Sequence, residues 1–113
     1  MPSKEEYYEK GMNQMASGDL AGAVEELRAA VATDSRYADA LHALAMIYYQ
    51  TGDFEHAIET GKQLVAVNPD DILAHTSLSM FYVAKGMVPE AETEAAEARR
   101  LTWKEQIKEG KKA

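Results

Sequence analysis

The chain has 113 residues, 46% of them hydrophobic, which is enough for one globular domain with a hydrophobic core. Its 12 basic and 19 acidic residues give a formal net charge of −7, which disfavours binding to the phosphate backbone of nucleic acids. The absence of cysteine excludes disulfide bridges, thiolate metal sites and thiol nucleophiles.

Residues with good helix propensity dominate the sequence and strand-like alternation is missing, so an all-helical fold is predicted. The first predicted helix covers roughly residues 3–16, with the apolar residues Tyr8, Met12 and Met15 at helical spacing. A short segment containing glycine ends this helix, and a second apolar series follows over residues 20–31. The chain therefore begins with a helix, a tight turn and a second helix.

The same order of elements recurs in the middle of the chain, where a turn at residues 51–53 separates two helical series. Asp34 or Ser35 is expected to cap the first of these helices, and Pro69 follows the second. Gly61 lies in the middle of the second helix, where glycine costs about 1 kcal/mol relative to alanine. We interpret this glycine as permitting the close approach of a neighbouring helix, and a hinge is the alternative.

The last third of the chain begins the pattern again near Ile72. Pro89 follows the third turn and is typical of the first turn of a helix. Trp103 stands where the middle copy has its proline, and no helix breaker precedes Gly110. The final helix is therefore expected to continue through residues 103–107.

Three copies of this unit are related by a period of 34 residues. The turn glycines share one phase, as do the small residues five positions after them: Gly18, Gly52 and Gly86, with Ala23, Ala57 and Ala91. This pattern resembles the tetratricopeptide repeat. The resemblance implies an α-solenoid of three helix-turn-helix hairpins in a right-handed superhelix. It also implies a single domain over residues 1–113, with repeats at about 4–37, 38–71 and 72–105 and a tail at 106–113.

In this family the first helices of the hairpins line a concave groove that binds extended peptides or helices. The positions that the resemblance assigns to the groove are mostly apolar and rich in methionine: Tyr8, Met12, Met15, His42, Met46, Tyr49, Leu73, Thr76, Met80 and Val83. We therefore predict a non-enzymatic scaffold or adaptor that binds a protein partner through a peptide or an amphipathic helix. The alternative is that the methionines belong to the ordinary repeat core.

A well-known branch of the family binds the acidic C-terminal tails of chaperones through a clamp of Lys, Asn, Asn, Lys and Arg. The residues at these positions do not match the clamp: Tyr8, Met12, Ala43, Leu73 and Ser77. A chaperone tail is therefore rejected as the partner.

The C-terminal end of the array indicates a second hypothesis, because exposed apolar ends of solenoids favour self-association. Leu101, Trp103 and Ile107 form the predicted apolar edge. The alternative function is a structural unit that forms a homo-oligomer through its groove or its last helix. Residues 104–112 contain four basic and two acidic residues. We interpret them as a solvated helix end, with a docking patch as the alternative.

The sequence contains no recognised catalytic motif, whether a nucleophile elbow, a phosphate loop, a dinucleotide glycine pattern or His-Glu-x-x-His. His42 and His75 fall on successive first helices, but two imidazoles without a third ligand make a poor zinc site. We expect neither catalysis nor a cofactor nor a bound metal. Because no signal core and no run of roughly 20 apolar residues is present, a cytoplasmic protein without membrane insertion is also expected.

Overall fold

The computed structural model describes residues 1–112, with side chains through Gly110, and this range contains six α-helices and no strand. The helices are α1 Lys4–Ala16, α2 Leu20–Thr33, α3 Ala38–Gln50, α4 Phe54–Val67, α5 Ile72–Ala84 and α6 Val88–Lys112. They pack as three hairpins, α1 with α2, α3 with α4 and α5 with α6, and the hairpins stack through α2–α3 and α4–α5. The predicted α-solenoid of three hairpins is confirmed. Ala113, at the end of the predicted tail, lies outside the described residues.

Each hairpin turn contains a glycine in the left-handed region of backbone space, with φ of +89° at Gly18, +82° at Gly52 and +79° at Gly86. Residues with a Cβ atom adopt this conformation at a steric cost, whereas glycine does not. The 34-residue spacing of these glycines is therefore a direct signature of the three turns.

The start of α3 differs from the predicted capping. Its N-cap residue is Tyr37, which makes no side-chain hydrogen bond to the helix. Asp34 Oδ1 instead accepts a hydrogen bond from the Arg36 N–H at 3.0 Å, and Asp34 also pairs with Lys4. The prediction that Asp34 or Ser35 caps α3 is wrong, because Asp34 stabilises the turn before the helix.

Gly61 lies where α4 packs closely against α5. A Cβ atom at this position would lie 3.1 Å from Leu78 Cδ1 and 3.2 Å from Phe81 Cδ2. Phe81 is among the largest fully buried side chains of the protein. The interpretation of Gly61 as a site of close helix approach is thereby confirmed.

The last helix is the longest, with 25 residues, and it continues through Trp103 as predicted. Leu101 is buried, whereas Trp103 is 63% exposed and Ile107 is 45% exposed. Residues two and six positions apart on an α-helix point about 200° and 240° apart, so Leu101 faces the protein and the other two face solvent. Leu101 is therefore not part of the exposed apolar edge that the sequence predicted.

Candidate functional site

An open cavity of about 440 Å³ lies among α1, α3, the end of α4 and the start of α5. Its lining combines apolar, amide and acidic side chains with one histidine. We call it the groove and define it by Tyr8, Met12, Met15, Ala38, Asp39, His42, Ala43, Met46, Gln50, Leu64, Asn68, Asp71 and Leu73.

Six of the ten predicted groove residues line this cavity: Tyr8, Met12, Met15, His42, Met46 and Leu73. The three methionines are half-buried, since each packs against the hydrophobic core and also faces the cavity. Each of these methionines therefore has one side in the core and one side in the groove, so both interpretations from the sequence apply in part.

The other four predicted residues lie outside the cavity lining. The Tyr49 ring centroid lies 5.4 Å from that of Phe81, so this tyrosine packs between α3 and α5. The Thr76 hydroxyl donates to a backbone carbonyl one turn earlier in its own helix. Met80 is half-buried against the core, and Val83 is 61% exposed.

Two carboxylates in the groove were not predicted as site residues. Asp39 lies in the first turn of α3, and Asp71 is the N-cap residue of α5. Asp71 Oδ1 accepts a hydrogen bond from the Leu73 N–H at 3.0 Å. Acidic residues at the start of a helix commonly stabilise the helix. The sequence pattern therefore gave no sign that these two residues also line the groove. Since the residues that line the groove include no lysine or arginine, these carboxylates make it acidic.

An aromatic pair holds one wall of the groove. The Tyr8 ring centroid lies 5.5 Å from that of Tyr37, within the range for favourable aromatic contact. Lys4 Nζ lies 5.0 Å from the centre of the Tyr37 ring, at cation–π distance. Burial raises the pKa of the Tyr37 hydroxyl above its ordinary value. The contacts of Tyr37 with Tyr8 and Lys4 therefore hold this wall of the groove together.

His75 is buried and connects the α4–α5 turn, which borders the groove, to α6. Its Nε2 donates to the Pro69 carbonyl at 2.6 Å, and its Nδ1 lies 3.0 Å from Glu94 Oε1. Both partners are acceptors, so only the doubly protonated imidazolium donates to both. Burial, the largest influence, lowers the pKa of His75. The Pro69 and Glu94 hydrogen bonds and the charges of Glu94 and Glu97 outweigh it, so the pKa is raised overall.

The raised pKa of His75 predicts a pH-dependent stability. The protonated form stabilises the folded state fully below the unfolded-state pKa near 6.5, and this contribution is lost as pH rises through the higher folded-state pKa. We expect the urea concentration at the midpoint of unfolding of wild type to decrease as the pH is raised from about 6 to 9. This decrease should be smaller in His75→Gln. Identical pH profiles for the two proteins would contradict the assignment.

The described residues provide neither a cluster of three metal-ligating side chains nor a membrane-spanning helix. In that part of the chain, no three histidine, aspartate or glutamate side chains lie together as metal ligands would. None of the six helices combines the length and apolar character that a membrane span requires.

Comparison with known proteins identifies the family to which this arrangement of helices belongs. The family model described as the tetratricopeptide repeat matches residues 14–80. The chain belongs to the tetratricopeptide repeat family. This tetratricopeptide repeat chain is 30% identical over 97 residues to the photosystem I assembly protein Ycf3 of Synechococcus sp. (strain CC9605). The similarity covers 83% of this chain and 56% of that relative.

Solved tetratricopeptide repeat structures share the fold. The crystal structure of MamA superposes with a TM-score of 0.88 at 28% identity, covering 93% of this chain and 61% of the MamA chain. The second repeat domain of Spaghetti (RPAP3), bound to the HSP90 peptide SRMEEVD, has a TM-score of 0.80 at 18% identity. That match covers 88% of this chain and 92% of the other. The chain thus spans a little over half the length of Ycf3 and of MamA, and its fold supports a protein–protein interaction module.

Proposed function

We propose that the groove binds a peptide or an amphipathic helix of a partner protein and that the chain acts as a non-enzymatic adaptor or scaffold. The observation that carries this proposal is the partly exposed methionine surface of Met12, Met15 and Met46. Thioether side chains are flexible and polarizable, so such a surface adapts to apolar side chains of different shape.

The dimensions of the groove also support this proposal. A volume of about 440 Å³ lies within the range of about 300–1,000 Å³ that is typical of ligand sites. A helix that presents apolar residues at positions i and i+4 places two anchors on one face, which suits an apolar groove between helices. The peptide bound to Spaghetti, a protein with the same fold, gives a precedent for peptide recognition by this fold.

The charge of the groove favours one class of peptide over another. Asp39 and Asp71 line it, without a lysine or arginine among the lining residues. An acidic peptide such as SRMEEVD would meet like charges there, and like-charge contacts suppress a partner. The groove therefore favours neutral or basic apolar peptides, in agreement with the rejection of a chaperone tail.

A matched pair of substitutions tests the proposal. Leu73 lines the groove and is 56% exposed, whereas Val88 lies outside it and is 58% exposed. Either residue can be replaced by glutamate with little cost to folding, because neither side chain is buried. We expect peptides selected from a random display library on wild type to bind Leu73→Glu about tenfold or more weakly, a loss of about 1.4 kcal/mol. Their affinity for Val88→Glu should equal that for wild type.

The affinities are measured by isothermal titration calorimetry, after circular dichroism has shown equal helicity in the three proteins. Equal affinity for Leu73→Glu and wild type would contradict binding in the groove. A failure to select any peptide that binds the folded wild type would also contradict the proposed function.

A further inference from the structure

We propose that the groove of one copy of the chain binds the C-terminal part of α6 of a second copy. We call this segment, residues 102–110, the α6 extension. The inference rests on the proposed function, since it names the occupant of the same groove. Every residue of the α6 extension is exposed, so the chain's own body leaves all of these side chains accessible to a partner.

The α6 extension carries an apolar pair that the described part of its own chain leaves exposed. Trp103 and Ile107 are four residues apart and therefore lie on one side of the helix. The side of α6 that packs against the protein is a different one, occupied by Ala91, Ala98 and Leu101. An exposed tryptophan and isoleucine with this spacing have the pattern of the anchor residues of a helix bound in a groove.

The end of α6 also benefits from a partner. The earlier part of α6 is packed against the protein and nucleates the helix, but most helical stability in proteins comes from the packing of an apolar face. The α6 extension has an apolar face, and none of its residues is buried. Docking of this face would stabilise its helical conformation.

The basic residues of the α6 extension lie beside its apolar anchors. Residues 102–110 contain two basic and two acidic residues, and the acidic ones each follow an anchor by two positions, about 200° away around the helix. In the α6 extension, Lys104 and Lys108 each follow an apolar anchor by one position, and the groove presents Asp39 and Asp71. Opposite charges beside an apolar contact favour encounter and fix the register of binding.

The groove and the α6 extension are different surfaces, so each copy has one donor and one acceptor. Two copies can form a dimer in which each α6 extension binds in the groove of the other copy. Alternatively, each copy can bind the next, which produces longer assemblies. In both cases the chain associates in a concentration-dependent way. Since Trp103 is the only tryptophan, its fluorescence reports directly on docking of the α6 extension.

The first test is sedimentation equilibrium of the full chain at rising concentration, with tryptophan emission recorded on the same samples. We expect the average mass to rise above the monomer mass of 12.5 kDa while the emission moves to shorter wavelength, as an indole does when it leaves water. Both effects should weaken as salt is added. If the chain stayed monomeric with unchanged emission up to about 1 mM, the proposal would be wrong. A dissociation constant above this concentration corresponds to an interaction too weak to be specific.

A mixing experiment identifies the two surfaces. The double variant Trp103→Glu, Ile107→Glu keeps the groove and loses the anchors, whereas Leu73→Glu keeps the anchors and alters the groove. We expect each variant to be monomeric alone and their mixture to form complexes with one copy of each and no further growth. The control Val88→Glu should associate like wild type.

The outcomes separate this inference from the proposed function. Association that survives in either single preparation, or a mixture that stays monomeric, would overturn docking of the α6 extension in the groove. If wild type is monomeric but display-selected peptides still bind it and bind Leu73→Glu more weakly, the proposed function stands and this inference is wrong. If wild type is monomeric and no peptide that binds it can be selected, both are wrong.

Discussion

Replacing Phe81 with alanine is expected to lower the free energy of unfolding by about 3–5 kcal/mol. The ring is fully buried where α4 and α5 meet, and it also packs on the Tyr49 ring at a centroid distance of 5.4 Å. Gly61 has no side chain that could move into the space left behind. Because domains of this kind are stable by only about 5–15 kcal/mol, the loss is a large share of the total.

The change is measured by urea unfolding followed by circular dichroism. Val83→Ala, at a site 61% exposed in the same helix, serves as the control and should change the free energy of unfolding by less than about 0.5 kcal/mol. Equal losses for the two variants would show that Phe81 is not at the centre of the core.

The second large effect is expected for Gly61→Val, which should lower the free energy of unfolding by about 1–3 kcal/mol. Valine has a better helix propensity than glycine, so propensity alone would stabilise the helix. The added Cβ atom alone, however, would lie 3.1–3.3 Å from atoms of Leu78 and Phe81, which are themselves packed in the core. Overpacking should therefore outweigh the gain in propensity.

Gly110→Val is the matched control for this effect. Gly110 also lies inside a helix, but a Cβ atom there would have no neighbour within 4 Å. The same substitution should leave stability unchanged or raise it slightly in thermal unfolding. If Gly61→Val were as stable as wild type, the prediction that overpacking outweighs helix propensity at this position would be wrong.

The hairpins were predictable from sequence because their signals are local. A turn glycine with positive φ reports the backbone conformation of its own residue, and three of them at one spacing report the repeat. The start of α3 was not predictable in this way. The Asp34 carboxylate could accept from several nearby N–H groups, and its pairing with Lys4 of α1, 30 residues earlier, helps to decide between them.

The groove was only partly predictable, because repeat phase assigns a residue to a helix face and not to a position along it. The lining extends to Asp71 and Leu73 at the start of α5 but does not include the later positions Thr76, Met80 and Val83. In the described part of the chain no further first helix stacks on α5 to form a second wall there. The contact of His75 with Glu94 was likewise not predictable from a local sequence pattern, because it joins residues 19 positions apart.

The most direct test of groove binding is a titration followed by NMR of the methionine methyl groups. Met12, Met15 and Met46 line the groove, whereas Met87 lies outside it and serves as an internal control. On addition of a display-selected peptide, we predict saturable shifts of the three groove signals and an unchanged Met87 signal. Saturable binding that shifts Met87 and leaves the groove methionines unchanged would contradict the proposed site.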